Sequence, residues 1–268
     1  MYYKYKNINV YYEIFGEGKP ILCIHGFGCD HKLMTGCMEP VFRNHDGYQR
    51  IYVDLPGMGK TKGESEFNSS DKILEVLVSM IQDLTDDNFL LAGESYGGYL
   101  ARGILSKLHE RVDGMLLLCP VVVPKHEDRI LPQKETLILD KQLNTKENQE
   151  FIKFAVIANQ AAFSRYQDEI ETGIKIADLE FLKQVKESYA FTFDVDEVLR
   201  QNTFQKPALF LCGRQDNSVG YQDLWKLVED YPRAEFAVLD MAGHNLQIEQ
   251  PMLFEAFVNN WITRMECY

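Results

Sequence analysis

No stretch of this 268-residue chain approaches the roughly 18 consecutive apolar residues of a membrane-spanning helix, so nothing in it argues for insertion into a bilayer. The chain also lacks an excess of basic residues. Lys and Arg total 28 against 40 Asp and Glu, a formal net charge of −12. Binding to a phosphate backbone needs clustered cations, so a nucleic-acid partner is not expected. The six cysteines form no CxxC pair and no Cys/His metal spacing. Cys23, Cys119 and Cys212 sit in apolar, strand-like runs as small hydrophobes, and Cys29, Cys37 and Cys267 lie elsewhere. Reduced thiols in a cytoplasmic protein are the expectation. The opening MYYKYKNINVYYEIFGEG has neither the basic start, the apolar run nor the small-residue cleavage site of a secretory signal. Repeats and low-complexity tracts are missing too. The 46% hydrophobic and 25% charged composition is that of an ordinary globular protein, long enough for a substantial core.

What is present is an alternation. Two antiparallel strands are expected at about 2–6 and 8–15, followed by a buried strand at 21–25 (ILCIH) and another at 50–55 (RIYVDL). Residues 71–85 carry apolar side chains at 73, 74, 77, 78, 81 and 84, a helical stripe with Asp71 placed to cap it. FLLAG (89–93) reads as a strand, 96–109 as a helix and GMLLLCPVVV (114–123) as a strand. Near-continuous apolar strands separated by amphipathic helices imply a parallel sheet covered on both faces. From about 125 to 203 the rhythm breaks into helical segments rich in charge and aromatics. Strands return at 208–213 and 235–240, with a helix between them at about 220–230. A closing helix at 251–265 puts Leu253, Phe254, Phe257, Val258, Trp261 and Ile262 on one stripe. The expected division is an α/β core over 1–124 and 204–268, interrupted by an all-helical insertion over 125–203.

The strongest chemical signal is GESYGG (93–98), between a strand and a helix. Gly-x-Ser-x-Gly at such a junction is a nucleophile elbow, whose sharp turn strains Ser95 and leaves room only for glycine at 93 and 97. Gly98 lets the helix approach the sheet. A nucleophilic serine needs a base within hydrogen-bond reach and a carboxylate to fix that base's tautomer. Asp216, in GRQDNSVG, and His244, in AGHN, each follow a separate strand, at the carboxyl ends where α/β ligand sites gather. The order Ser, Asp, His is the one this kind of fold uses. A tetrahedral intermediate also needs two donors. The N–H groups of Tyr96, after the serine, and Phe27, in HGFG (25–28), are the candidates, with His25 as structural support for that loop.

Together HGFG, DLPGMGKT (54–61), GESYGG, GRQD and AGH resemble the α/β-hydrolase superfamily. They are most similar to its small cytoplasmic bacterial members with a helical cap: carboxylesterases, C–C bond hydrolases and prolyl aminopeptidase relatives. The resemblance spans the core and reaches the cap only in position and helical character. It implies an eight-stranded, mostly parallel sheet with the cap inserted after the sixth strand, and no cofactor. Relatives that cleave epoxides or haloalkanes use an aspartate nucleophile, and Ser95 argues against both.

Competing motifs fail on spacing. For a nucleotide-binding loop, GMGKT would need a glycine at Asp54 and a helix at once, whereas helical periodicity begins near Asp71. A dinucleotide fingerprint from GFG would need glycine at His31. The six histidines show no metal-ligand spacing. The expected function is hydrolysis of a small carboxylic ester through an acyl-enzyme. The alternatives are C–C cleavage of a 2-hydroxy-6-oxo-dienoate, an aminopeptidase or amidase activity, or a non-catalytic binding protein on the same fold. HGFG and SYGG, rather than HGxGPG and SMGG, tilt the choice toward esters. A small-molecule substrate and a monomer or homodimer are expected, with kcat/KM falling as pH drops through an ordinary imidazole pKa around 6–7.

Overall fold

Each apolar run becomes a strand, and the computed structural model, which describes residues 1–267, shows how they assemble. In chain order the strands are β1 (Tyr2–Tyr5), β2 (Ile8–Phe15), β3 (Lys19–Ile24), β4 (Tyr48–Val53), β5 (Phe89–Glu94), β6 (Val112–Leu118), the two-residue β7 (Ile138–Leu139) and β8 (Ile157–Ala158), β9 (Ala208–Gly213) and β10 (Ala234–Leu239). Eight of them form one sheet of order β1-β2-β4-β3-β5-β6-β9-β10. The β1–β2 and β2–β4 pairs are antiparallel and every other pair is parallel. Central β5 and β9 are buried throughout, which is why their sequences do not alternate.

The helices are α1 (Lys32–Phe42), α2 (Ser70–Leu84), α3 (Tyr96–Lys107), α4 (Gln149–Phe154), α5 (Gln160–Tyr166), α6 (Thr172–Ile176), α7 (Leu179–Glu187), α8 (Val195–Gln201), α9 (Gln222–Trp225), α10 (Leu246–Glu249) and α11 (Pro251–Glu266). In α2 the expected stripe is buried through Ile73, Leu74, Leu77 and Ile81. Its cap, however, is Ser69, whose hydroxyl accepts from Lys72 N–H, an interaction typically worth about 1 kcal/mol. Asp71 lies within the first turn of the helix and accepts Thr192 N–H instead. In α11, Phe254, Val258, Trp261 and Ile262 are buried, while Leu253 remains 44% exposed.

Three elements depart from the sequence pattern. β6 ends at Leu118 because Cys119 takes φ +41° and turns the chain out of the sheet, although the apolar run continues. The helix expected over 220–230 is only α9 and a short 3-10 turn, Val228–Asp230. Residues between β6 and β9 add no strand to the main sheet, but they are not wholly helical. β7 and β8 pair in parallel, and Leu137 N–H and Ile138 N–H both bond Val156 O. That short ladder satisfies backbone groups of an otherwise irregular stretch.

Candidate active site

The turn from β5 into α3 places Ser95 at φ 54°, ψ −113°, a conformation that costs on the order of 1–3 kcal/mol outside glycine. Neighbouring strands hold it there. Ser95 N–H donates to Leu118 O at 3.0 Å, and Ser95 O accepts Val121 N–H at 2.9 Å. A side chain at Gly97 would sit 2.1 Å from Ile24 O, so the close pass of α3 under the end of β3 requires glycine.

Asp216 lies in the loop after β9 and is fully buried. Its Oδ1 accepts Ser218 N–H at 2.8 Å and Val219 N–H at 3.1 Å, leaving Oδ2 for His244 Nδ1 at 2.9 Å. His244, in the loop after β10, presents Nε2 to Ser95 Oγ at 2.9 Å. Ser95, Asp216 and His244 are thus in one hydrogen-bonded line, with the ring oriented by the carboxylate and its far nitrogen on the hydroxyl. Burial disfavours the charged imidazole, but Asp216, its hydrogen bond and nearby Glu94 outweigh this and push His244 up to about 9. The ordinary imidazole range expected from sequence is displaced upward, because two carboxylates face one ring.

Across from this line runs the loop after β3. His25 is buried, its Nδ1 2.7 Å from Gly26 O and its Nε2 accepting Leu55 N–H at 3.1 Å. Both ring nitrogens are used up in holding the loop, the supporting role expected of it. The Phe27 ring packs edge-on against Tyr96 at 5.3 Å between centroids. Neither Phe27 N–H nor Tyr96 N–H has a hydrogen-bond acceptor among the described residues, so both donors remain available.

Two cavities open on this arrangement. One, about 170 Å³, is lined largely by Cys29, Leu33, Phe154, Tyr166, Ile170 and Ile174. A wider cleft of about 580 Å³ includes Lys125, Arg129 and Lys186, and shares only Phe27, Ser95 and His244 with the first. Among the described residues, the one cluster with metal-type ligand atoms close together is Cys119, Asp216 and His244. Both nitrogens of that histidine already face hydrogen-bond partners, which suits proton transfer better than ligation.

Residues 19–251 match the model of the alpha/beta hydrolase fold family. The chain belongs to that family. A crystal structure of an alpha/beta superfamily hydrolase from Oenococcus oeni PSU-1 superposes with a TM-score of 0.89 at 34% identity, covering 99% of each chain. Family relatives include the AB hydrolase superfamily protein YisY of Bacillus subtilis (strain 168), 29% identical over 125 residues. That match spans 46% of this chain and 46% of the relative. A pimeloyl-[acyl-carrier protein] methyl ester esterase of Legionella pneumophila (strain Paris) is 24% identical over 262 residues, 95% of this chain and 100% of the relative. A 2-hydroxy-6-oxononadienedioate/2-hydroxy-6-oxononatrienedioate hydrolase of Paraburkholderia phymatum is 25% identical, covering 95% and 91%.

Three side chains that motif reading passed over shape the site of this family member. Asp54 accepts His31 N–H, Lys60 N–H and His31 Nδ1, all at 2.8 Å, and so ties the loop after β3 to the loop after β4. Glu249 accepts Gly243 N–H at 2.5 Å from the loop bearing His244, and Val156 N–H at 2.5 Å and Ile157 N–H at 3.2 Å from beside β8. Glu94, the residue before Ser95, is 2% exposed, with Oε1 3.4 Å from His244 Nε2. The sequence signal was a charged residue at the end of a wholly apolar strand, inside the motif itself.

Proposed function

We propose that this protein is a serine hydrolase of small carboxylic esters, acting through an acyl-enzyme on Ser95. The observation that carries the reading is the pair of 2.9 Å contacts, Ser95 Oγ to His244 Nε2 and His244 Nδ1 to Asp216 Oδ2. As Oγ bonds to the substrate carbonyl carbon, its proton passes to Nε2. Phe27 N–H and Tyr96 N–H hold the oxyanion that forms. The imidazolium then protonates the departing alkoxide as the C–O bond breaks, and the neutral ring activates a water to release the acid. Asp216 stays ionised and fixes the tautomer throughout.

In this reading the segment between β6 and β9 is a cap that roofs the site. The apolar cavity, walled on one side by cap residues Phe154, Tyr166, Ile170 and Ile174, takes a short acyl group, and the wider cleft takes the alcohol portion. A methyl ester esterase among the relatives is consistent with this chemistry. The carbon–carbon hydrolase among them supports a second reading with the same residues.

Intact-mass labelling with a fluorophosphonate, mapped by peptide sequencing, tests the proposal. Labelling at Ser95, abolished in Ser95→Ala together with a loss of kcat on the order of 10⁶-fold, is the expected result. Unlabelled wild-type protein would leave a binding module as the better reading. A panel of nitrophenyl esters of rising chain length beside a dienoate C–C substrate separates the two hydrolase readings.

A further inference from the structure

Glu94 is a buried carboxyl group that the mechanism above leaves without a task. Its Oε1 lies 3.4 Å from His244 Nε2, the nitrogen that also stands 2.9 Å from Ser95 Oγ. Its other oxygen occupies the place where a side chain at position 26 would be: a Cβ on Gly26 would sit 2.1 Å from Oε2. The residue is therefore built into the site from both sides, between the histidine and the loop that carries Phe27. We propose, on the serine-hydrolase reading, that Glu94 is a positioning residue whose carboxylate is the second acceptor for the His244 Nε2–H, holding the imidazolium between the two proton transfers and setting the pH at which Ser95 can be activated.

The proton balance is simple. Ser95 gives its proton to Nε2, a small tilt of the ring about its Asp216 hydrogen bond shares the N–H between Ser95 Oγ and Glu94 Oε1, and the leaving oxygen then takes the same proton. Glu94 gains and loses no atom. The charged groups around the pair are Asp216 on the opposite ring nitrogen and the Arg129 guanidinium from the cap, and Glu94 itself accepts the neutral Gly26 N–H. The Cys29, Cys119 and Tyr189 side chains that also surround it are held neutral by burial. The Glu150 carboxylate enters only at the exposed cavity wall. Burial, reinforced by Asp216, pushes Glu94 up to about 7, against the pull of His244, so its own charge changes within the working range.

The test is the pH profile of kcat/KM for Glu94→Gln, which keeps the shape but removes the charge, beside Glu94→Asp, which keeps the charge one methylene further back. The acid limb of Glu94→Gln is expected to move down by about one pH unit, a roughly tenfold gain relative to plateau at the low end, while Glu94→Asp stays near wild type. A purely structural role would lower the plateau without moving the limb. In the wild-type protein, ¹⁵N resonances of His244 should show two inflections, one from each group. An unshifted limb in Glu94→Gln, or a single His244 inflection, overturns the proposal. The NMR titration needs no turnover, so it reports on Glu94 even if fluorophosphonate labelling of Ser95 fails.

Discussion

Ser95 holds a backbone conformation that favours glycine, and the hydrogen bonds that keep it there leave its hydroxyl 2.9 Å from His244 Nε2. At this scale the sequence was most legible, because Ser95, Asp216 and His244 each follow a strand and each strand is a plain apolar run. Glu94 was not legible, since only the folded geometry shows a carboxylate turned toward Nε2 rather than toward solvent. Asp216→Asn tests the orienting role. An amide nitrogen facing Nδ1 would donate where Asp216 accepts, forcing the proton onto Nε2 and leaving the ring unable to take one from Ser95. A loss of kcat on the order of 10⁴-fold is expected on a nitrophenyl ester, and a loss below tenfold would contradict that role. The pH dependence follows from the raised His244 pKa of about 9. On the proposed mechanism the ring must be neutral to act as base, so kcat/KM should keep rising between pH 7 and 9. A plateau already reached at pH 6.5 would show that the two carboxylates do not hold the proton as the geometry implies.

Among the elements, the long amphipathic helices and apolar strands were readable, and the exceptions have local causes. α1 carries Gly36 and Pro40 within its eleven residues, both helix-weakening, and its buried Leu33, Met34, Cys37, Met38 and Val41 declare themselves only through packing. Asp71 looked like a cap because the serine two residues earlier is the less conspicuous oxygen. α10 is only four residues long, yet it carries Glu249, whose carboxylate joins the histidine loop to the chain around β8. Replacing it with Gln removes the charge that strengthens all three N–H contacts and puts an amide donor against one set of them. Buried N–H groups without acceptors cost about 1–3 kcal/mol, so Glu249→Gln should lower the urea midpoint correspondingly and raise KM as the cavity wall loosens. Unchanged stability and unchanged kinetics together would mean that other contacts fix both segments.

On the scale of the whole molecule, the question is what keeps the segment between β6 and β9 seated, since its own sequence announces charge and aromatics but no partner. Besides the Glu249 contacts, the segment is held by polar ties to α2 and α3. Ser70 N–H bonds Ser188 O, Ser70 Oγ bonds Tyr189 O, and Tyr99 Oη accepts Phe191 N–H. Beyond these, Arg102 of α3 is fully buried and ion-paired with Asp196 of α8, with Tyr231 Oη 3.5 Å from its Nε. None of these pairs is local in sequence, which is why the seating could not be read from pattern. Removing one partner of a buried pair strands a charge and typically costs 3–5 kcal/mol. Asp196 is 29% exposed, so water can replace part of what it provides, and Asp196→Asn is expected to cost about 3 kcal/mol, at the low end of that range. Chemical denaturation measures the loss, and limited proteolysis should show earlier cleavage between residues 119 and 207. Adding Arg102→Met removes the stranded charge and should recover part of the stability. If Asp196→Asn unfolds within about 0.5 kcal/mol of wild type, the ion pair is not what seats this segment, and the hydrogen bonds from Ser70, Tyr99 and Glu249 hold it instead.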